Sequence, residues 1–263
     1  MHRDFVSLCL VTAEKFPAGD NNQSTSQRFG GALIFLAVAG FIVGQITALV
    51  AVALTARAVG DRHGLGDLLA HQLPGWGIAA TLIGEWCGFA MAIWFAHRRR
   101  GLFPVGAWKV RRNDLQFFAM GVGLQILVDL AYAPFHLRHL NDPVTALFGG
   151  AHGALFAAIA LGTAVGAPVA EELLFRWVLL QGVRRVVTSW GSARRQMLIT
   201  IVVSGLLFGL AHGEMLQLPA LAVSGIIFGY VTLRTSRVAP SILMHAGFNS
   251  LAVMALVWSR HHG

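Results

Sequence analysis

Residues 167–176 read APVAEELLFR, so two adjacent glutamates and an arginine interrupt an apolar stretch that runs from Ala154 to Val183. On insertion scales each charge at the centre of a bilayer helix costs about 2.5–3.5 kcal/mol, and three cost roughly 8–10 kcal/mol before pairing. A stretch with that penalty either lies outside a membrane or holds a site. On a helix, Glu172 and Arg176 are neighbours on one face with the acid N-terminal, the order in which they best neutralise one another. Glu171 points about 100° away and has no partner in its own segment. Its partner comes from another span, or it faces a water-filled cavity. A carboxylate so placed is competent as a general base towards water. The plainer reading of the same residues is a structural ion pair with a stray glutamate.

Two further polar groups interrupt apolar runs. One run ends Phe208-Gly-Leu-Ala-His212, and a later run contains His245-Ala-Gly-Phe-Asn249, whose histidine and asparagine share a helical face. Taken singly, His212 reads as a helix-end residue and the His245–Asn249 pair as a helix–helix hydrogen-bonding device. Taken with Glu171 they form a set that holds a base and hydrogen-bond donors.

The elements that must position these residues are set by composition. The chain has 263 residues, 56% hydrophobic and 12% charged, with a mean hydropathy of +0.64. That is about half the charged fraction of a soluble domain, too little to solvate an ordinary surface. Glycine, at 30 residues against 8 prolines, suits helices that approach closely in lipid. Runs of about 20 apolar residues predict spans at Phe29–Ala56, Trp76–Ala96, Leu115–Phe135, Met197–Ala211, Leu218–Leu233 and Pro240–Trp258. Asn113 and Asp114 stand as helix caps before the third. A further region, Ala151–Val187, is too long for one straight span and contains Gly162, Gly166 and Pro168, which predict a kink, a break or a helix extending past the bilayer. The fold class is therefore all-α, a polytopic transmembrane bundle of seven spans, or eight if that region divides.

The net charge of +8 comes from short loops: Arg98, Arg99, Arg100, Lys109, Arg111 and Arg112, then Arg184, Arg185, Arg194 and Arg195, then Arg234 and Arg237. Such alternation marks cytoplasmic loops, not a nucleic-acid surface, and puts the N-terminus inside. Residues 1–28 form a cytoplasmic segment in which the short run Phe5–Ala13 is an interfacial helix or disordered, without a cleavage signal. Residues 29–258 form a single transmembrane domain. Cys9 and Cys87 imply no disulfide framework.

Glu171-Glu172-x-x-x-Arg176, Phe208-x-x-x-His212 and His245-x-x-x-Asn249, in order and on separate spans within 167–250, resemble the motif set of the CAAX protease and bacteriocin-processing family. That family includes type II CAAX prenyl endopeptidases and bacterial abortive-infection-like membrane proteases. The resemblance implies an intramembrane endopeptidase of the glutamate type in a prokaryotic plasma membrane, acting on a lipidated, membrane-anchored or leader peptide. Carried over by position, Glu171 and His212 activate a water, His245 and Asn249 stabilise the oxyanion, and Glu172 with Arg176 and Phe208 supports the site. The family is often labelled metalloprotease, and if zinc is bound its ligands are Glu171, His212 and His245; no cofactor is the favoured expectation, since no His-Glu-x-x-His occurs. The alternative function is a non-catalytic scaffold, immunity or binding protein built on the same polar cluster. The partners expected are the peptide or lipidated protein substrate and membrane lipid, not nucleic acid; the sequence leaves the oligomeric state open.

Other polar residues carry less. The echo Ser204-Gly-Leu-Leu-Phe-Gly and Ser224-Gly-Ile-Ile-Phe-Gly reads as close helix packing, not as a serine nucleophile. His136 with His139, and His261 with His262, are loop or terminal pairs with no expected role. Glu85 and Asp129 pair with one another or line the cavity. One conflict stands: at a rise of about 1.5 Å per residue His212 lies about 25 Å from the cytoplasmic end of its span and His245 about 8 Å from that of its own.

Overall fold

The computed structural model describes residues 20–61, 73–98, 108–137, 142–148 and 151–262. Phe5–Ala13 with Cys9, the arginines Arg99 and Arg100, and His139 lie outside the described residues, as do the side chains of His261 and His262. Among the described residues there is no strand. The helices are α1 (Asp20–Ala58), α2 (Gly75–His97), α3 (Leu115–Tyr132), a short α4 (Asp142–Leu147), α5 (Gly153–Leu161), α6 (Ala167–Glu172), α7 (Leu180–Val186), α8 (Ala193–Ala211), α9 (Leu218–Thr235) and α10 (Ala239–His262).

Seven stretches among the described residues are long and apolar enough to cross a membrane, and each predicted span lies inside or within two residues of one. The fourth region does not divide. Of the three outcomes expected, the long continuous helix is the one found: Gly153–Ser189 forms one apolar helical stretch of 37 residues, with two π-helical windings, Gly162–Gly166 and Leu173–Leu179, on either side of α6. Pro168 sits in the first turn of α6, where its missing N–H costs little and the helix runs on through it. A π winding absorbs extra residues without breaking the backbone ladder and turns the following side chains to a new phase. α6 with Glu171 and Glu172 is the only α-helical turn and a half between them.

The helices join in pairs at glycines. In α8 and α9 a Cβ at Gly225 would lie 2.9 Å from Gly205 Cα, so the serine–glycine echo marks a close backbone approach, as its sequence predicts. In α3 and α10 a Cβ at Gly247 would collide with the Phe118 carbonyl oxygen, and one at Gly121 with that of Met244. α1 and α2 meet at Gly44 and Gly88. Leu33 and Ala37 of α1 and Phe89 and Ala92 of α2 then pack on Leu174, Phe175, Val178 and Phe208 to form the main core.

The polar ends are specific. Ser192 caps α8 by accepting from the Arg195 N–H. Asp114 does not cap α3 itself. It lies in a 3₁₀ turn, Arg112–Asp114, where Oδ2 accepts from the Arg111 N–H at 2.7 Å and both carboxylate oxygens accept from Arg237, at 2.7 and 2.8 Å. Arg237 also donates to the Lys109 carbonyl and is buried. One of the loop arginines expected to mark the cytoplasmic side is thus a tie between the α9–α10 turn and the start of α3.

Candidate active site

Glu172 and Arg176 are fully buried and joined at 3.2 Å between Oε2 and Nε. Because a π winding begins at Leu173, Arg176 also reaches across to α9 and donates to the Gly225 carbonyl at 3.1 Å. Its guanidinium lies 4.4 Å from the Phe208 ring centroid, where the ring's π face favours a cation. The other carboxylate oxygen of Glu172, Oε1, lies 3.1 Å from His245 Nδ1. The glutamate expected only to hold its own helix therefore bridges Arg176 to His245. Paired with Arg176 it is an acceptor, so His245 Nδ1 carries the proton and donates.

Glu171 projects to the side where α8 and α10 converge. Its Oε2 lies 3.8 Å from His212 Nε2 and 3.9 Å from His245 Nε2, is buried, and makes no hydrogen bond to protein. His212, the C-cap of α8, turns back one turn and places Nδ1 2.8 Å from the Phe208 carbonyl. A carbonyl only accepts, so His212 Nδ1 is the protonated nitrogen. Both imidazoles thus have Nδ1–H committed elsewhere and present Nε2 to Glu171.

The aromatic frame brings the two histidines together although they start from distant points on their helices. Phe208 stands edge-on to His212 at 4.8 Å and to His245 at 5.5 Å between ring centroids. Phe228 stacks on His245 at 4.9 Å and 24°. Both Nε2 atoms lie within 4 Å of the one carboxylate oxygen, so the two histidines meet in space although the rises counted along their spans differ. Phe228 has no part in the sequence reading, but the echo held the signal: both of its phenylalanines, Phe208 and Phe228, stand in the frame.

Asn249 stands one turn beyond His245 and donates through Nδ2 to the Thr163 carbonyl at 3.0 Å, in the first π winding. One of its two N–H groups is used in holding α10 to the glutamate helix. Glu85 and Asp129 do not pair with one another. Asp129 accepts from Gln125 at 2.8 Å, while Glu85 accepts from Gln45 at 2.7 Å. Ser204 and Ser224 are buried between helices. His136 bonds only its own turn, at Pro134 O.

Two imidazole nitrogens and a carboxylate oxygen are donors zinc accepts, and Nδ1–H groups held by a carbonyl and a carboxylate are the usual outer support. Ligands at 2.0–2.1 Å in a tetrahedron sit about 3.4 Å apart. The separations of 3.8 and 3.9 Å are wider, and the described residues contain no group of three at metal-holding spacing. As placed, the residues do not fit the ion, and no step below is routed through one. A gap of that size between two acceptors suits a water that donates one proton to each.

Residues 153–251 match the family model of the type II CAAX prenyl endopeptidase Rce1-like proteins. No curated protein and no solved structure was found to match. The match opens at the start of α5 and closes in α10, taking in Glu171, Glu172, Arg176, His212, His245 and Asn249. That segment is similar to the Rce1-like type II CAAX prenyl endopeptidases, and it lies in a chain whose described residues hold seven helical stretches long and apolar enough to cross a membrane.

Proposed function

We propose that the chain is an intramembrane endopeptidase that hydrolyses a peptide bond in a lipidated, membrane-anchored or leader peptide through a glutamate-activated water. The observation that carries this is Glu171 Oε2, buried, unbonded to protein, and faced by the Nε2 atoms of His212 and His245. What sets this oxygen apart from other buried unbonded atoms is the pair of imidazole nitrogens that faces it.

In this reading a water lies between Glu171 Oε2 and His212 Nε2. Glu171 takes one of its protons as the oxygen attacks the peptide carbonyl carbon, and the carbonyl electrons move to the oxygen. The same proton passes to the amide nitrogen as the C–N bond breaks, so no covalent enzyme intermediate forms. His245 stabilises the oxyanion. Since Nδ1–H is committed to Glu172, it donates through Nε2 only as the imidazolium, and the carboxylates of Glu171 and Glu172 on either side are its counter-charges. Asn249 supplies its second amide N–H. By the positive-inside rule the arginine loops face the cytoplasm, with the N-terminus inside.

The test is cleavage of a panel of prenylated and leader peptides by purified protein, with and without chelator. The wild type cleaves and Glu171→Ala and Glu171→Gln do not, while both variants insert and purify normally. The glutamine variant keeps the shape but loses the base, and a loss of at least about 10²-fold follows. Unchanged cleavage by either variant removes the mechanism. Loss on chelation with recovery on zinc makes Glu171 a ligand in place of a base, and silence from the wild type leaves the scaffold reading.

A further inference from the structure

The first π winding, Gly162–Gly166, is held by two neighbouring helices. From α10, Asn249 donates to the carbonyl of Thr163, the second residue of the winding. From α2, Trp86 presses the edge of its indole against both ends of it. A Cβ at Gly166 would collide with the indole Cη2, and one at Gly162 would lie 3.5 Å from the same atom. Only a residue without a side chain lets a ring approach the backbone so closely. The two glycines thus form a notch, and Trp86, which lies outside the segment 153–251, fills it.

A π winding is a rare local geometry, and the register it sets decides where its carbonyls point. The Thr163 hydroxyl is buried and unbonded, without the bond to the preceding turn that a helical threonine often makes. The link to α10 therefore runs through the backbone carbonyl. Rewinding these residues to about 100° per residue changes the direction of that carbonyl. The consequence reaches the chemistry because the Asn249 amide is planar and carries two N–H groups. A bond that fixes one of them, here to Thr163 at 3.0 Å, fixes the direction of the other.

We propose that Trp86 is a positioning residue of the proposed peptidase, acting through Asn249. Its indole seats the winding, the winding aims the Thr163 carbonyl at Asn249, and that bond aims the second Asn249 N–H at the oxyanion. The inference rests on the peptidase reading above.

The experiment is a double-mutant cycle on the full chain in detergent, with Trp86→Leu, Asn249→Ala and the two together, read as kcat and KM on a peptide that the wild type cleaves. Trp86→Leu lowers kcat by about tenfold or more with little change in KM, the signature of a lost transition-state contact. In the Asn249→Ala background the same substitution lowers kcat by less than about twofold, since the group it acts through is already gone. The side-chain amide resonance of Asn249, in protein ¹⁵N-labelled at asparagine, moves in Trp86→Leu. Should that variant fail to insert, Trp86→Phe, which keeps a ring and draws back the wedge, enters the same cycle. Gly166→Ala drives the winding off the indole and lowers kcat in the same way, and Trp86→Phe added to it recovers most of the loss. Equal losses in both backgrounds, or an unmoved Asn249 resonance, make Trp86 a packing residue and overturn the inference while the peptidase reading stands. If the wild type cleaves no peptide of the panel, that reading fails and the inference with it.

Discussion

At the scale of single residues, adjacent glutamates do different work because a helix turns about 100° between them. Glu172 faces the protein, ion-paired with Arg176 and hydrogen-bonded to His245, while Glu171 faces the convergence of α8 and α10 and is bonded to neither. That division was half legible: the i, i+4 spacing identified which glutamate Arg176 neutralises. What spacing along one helix does not reveal is a contact from another, so the bond from Glu172 to His245 across 73 positions was out of reach. The role of Glu172 as a positioning residue has its own signature. Glu172→Gln frees His245 Nδ1 from its fixed tautomer, lowers kcat by about tenfold or more with little change in KM, and shifts the His245 ring ¹⁵N resonances. A variant slow in cleavage but with unaltered His245 resonances would assign Glu172 to helix support alone.

At the scale of elements, spans were legible because lipid demands about 20 apolar residues, and that demand leaves its mark on composition. The π windings were not. Glycine and proline in a long apolar run leave a kink, a break and a longer helix all open, and nothing in that run marks the wider winding by which the helix carries on. Asn113 and Asp114 were read as caps for a similar reason, since their residue types fit, but Arg237 lies 123 positions away and claims the Asp114 carboxylate. Arg237→Ala leaves that buried carboxylate unpaired and costs about 3–5 kcal/mol. Arg237→Gln with Asp114→Asn removes both charges and costs less, so thermal melting of the two variants orders them. In α10, Gly247 sits where a methyl group meets the Phe118 carbonyl. Gly247→Ala forces α3 and α10 apart at a cost of about 1–3 kcal/mol, lowering the melting midpoint by several degrees and cleavage with it, since His245 rides on the same helix.

At the scale of the whole molecule, hydropathy and three short motifs were enough to place the chain among helical membrane bundles and to name polar groups that meet. Of the aromatic frame Phe208 was marked by its place four residues before His212, while Phe228 was hidden, because a phenylalanine at helical spacing in an apolar chain reads as core. The glycine-sealed helix pairs draw the rest together. The pair α8–α9 holds His212, α3–α10 holds His245, and the long fourth helix brings Glu171 between them. Each reacting group is bolted to a different rigid strut. The distances that govern chemistry here are therefore coordinates between struts, and a sideways slip of less than an ångström by one pair opens or closes the water-sized gap beside Glu171 while every helix keeps its shape.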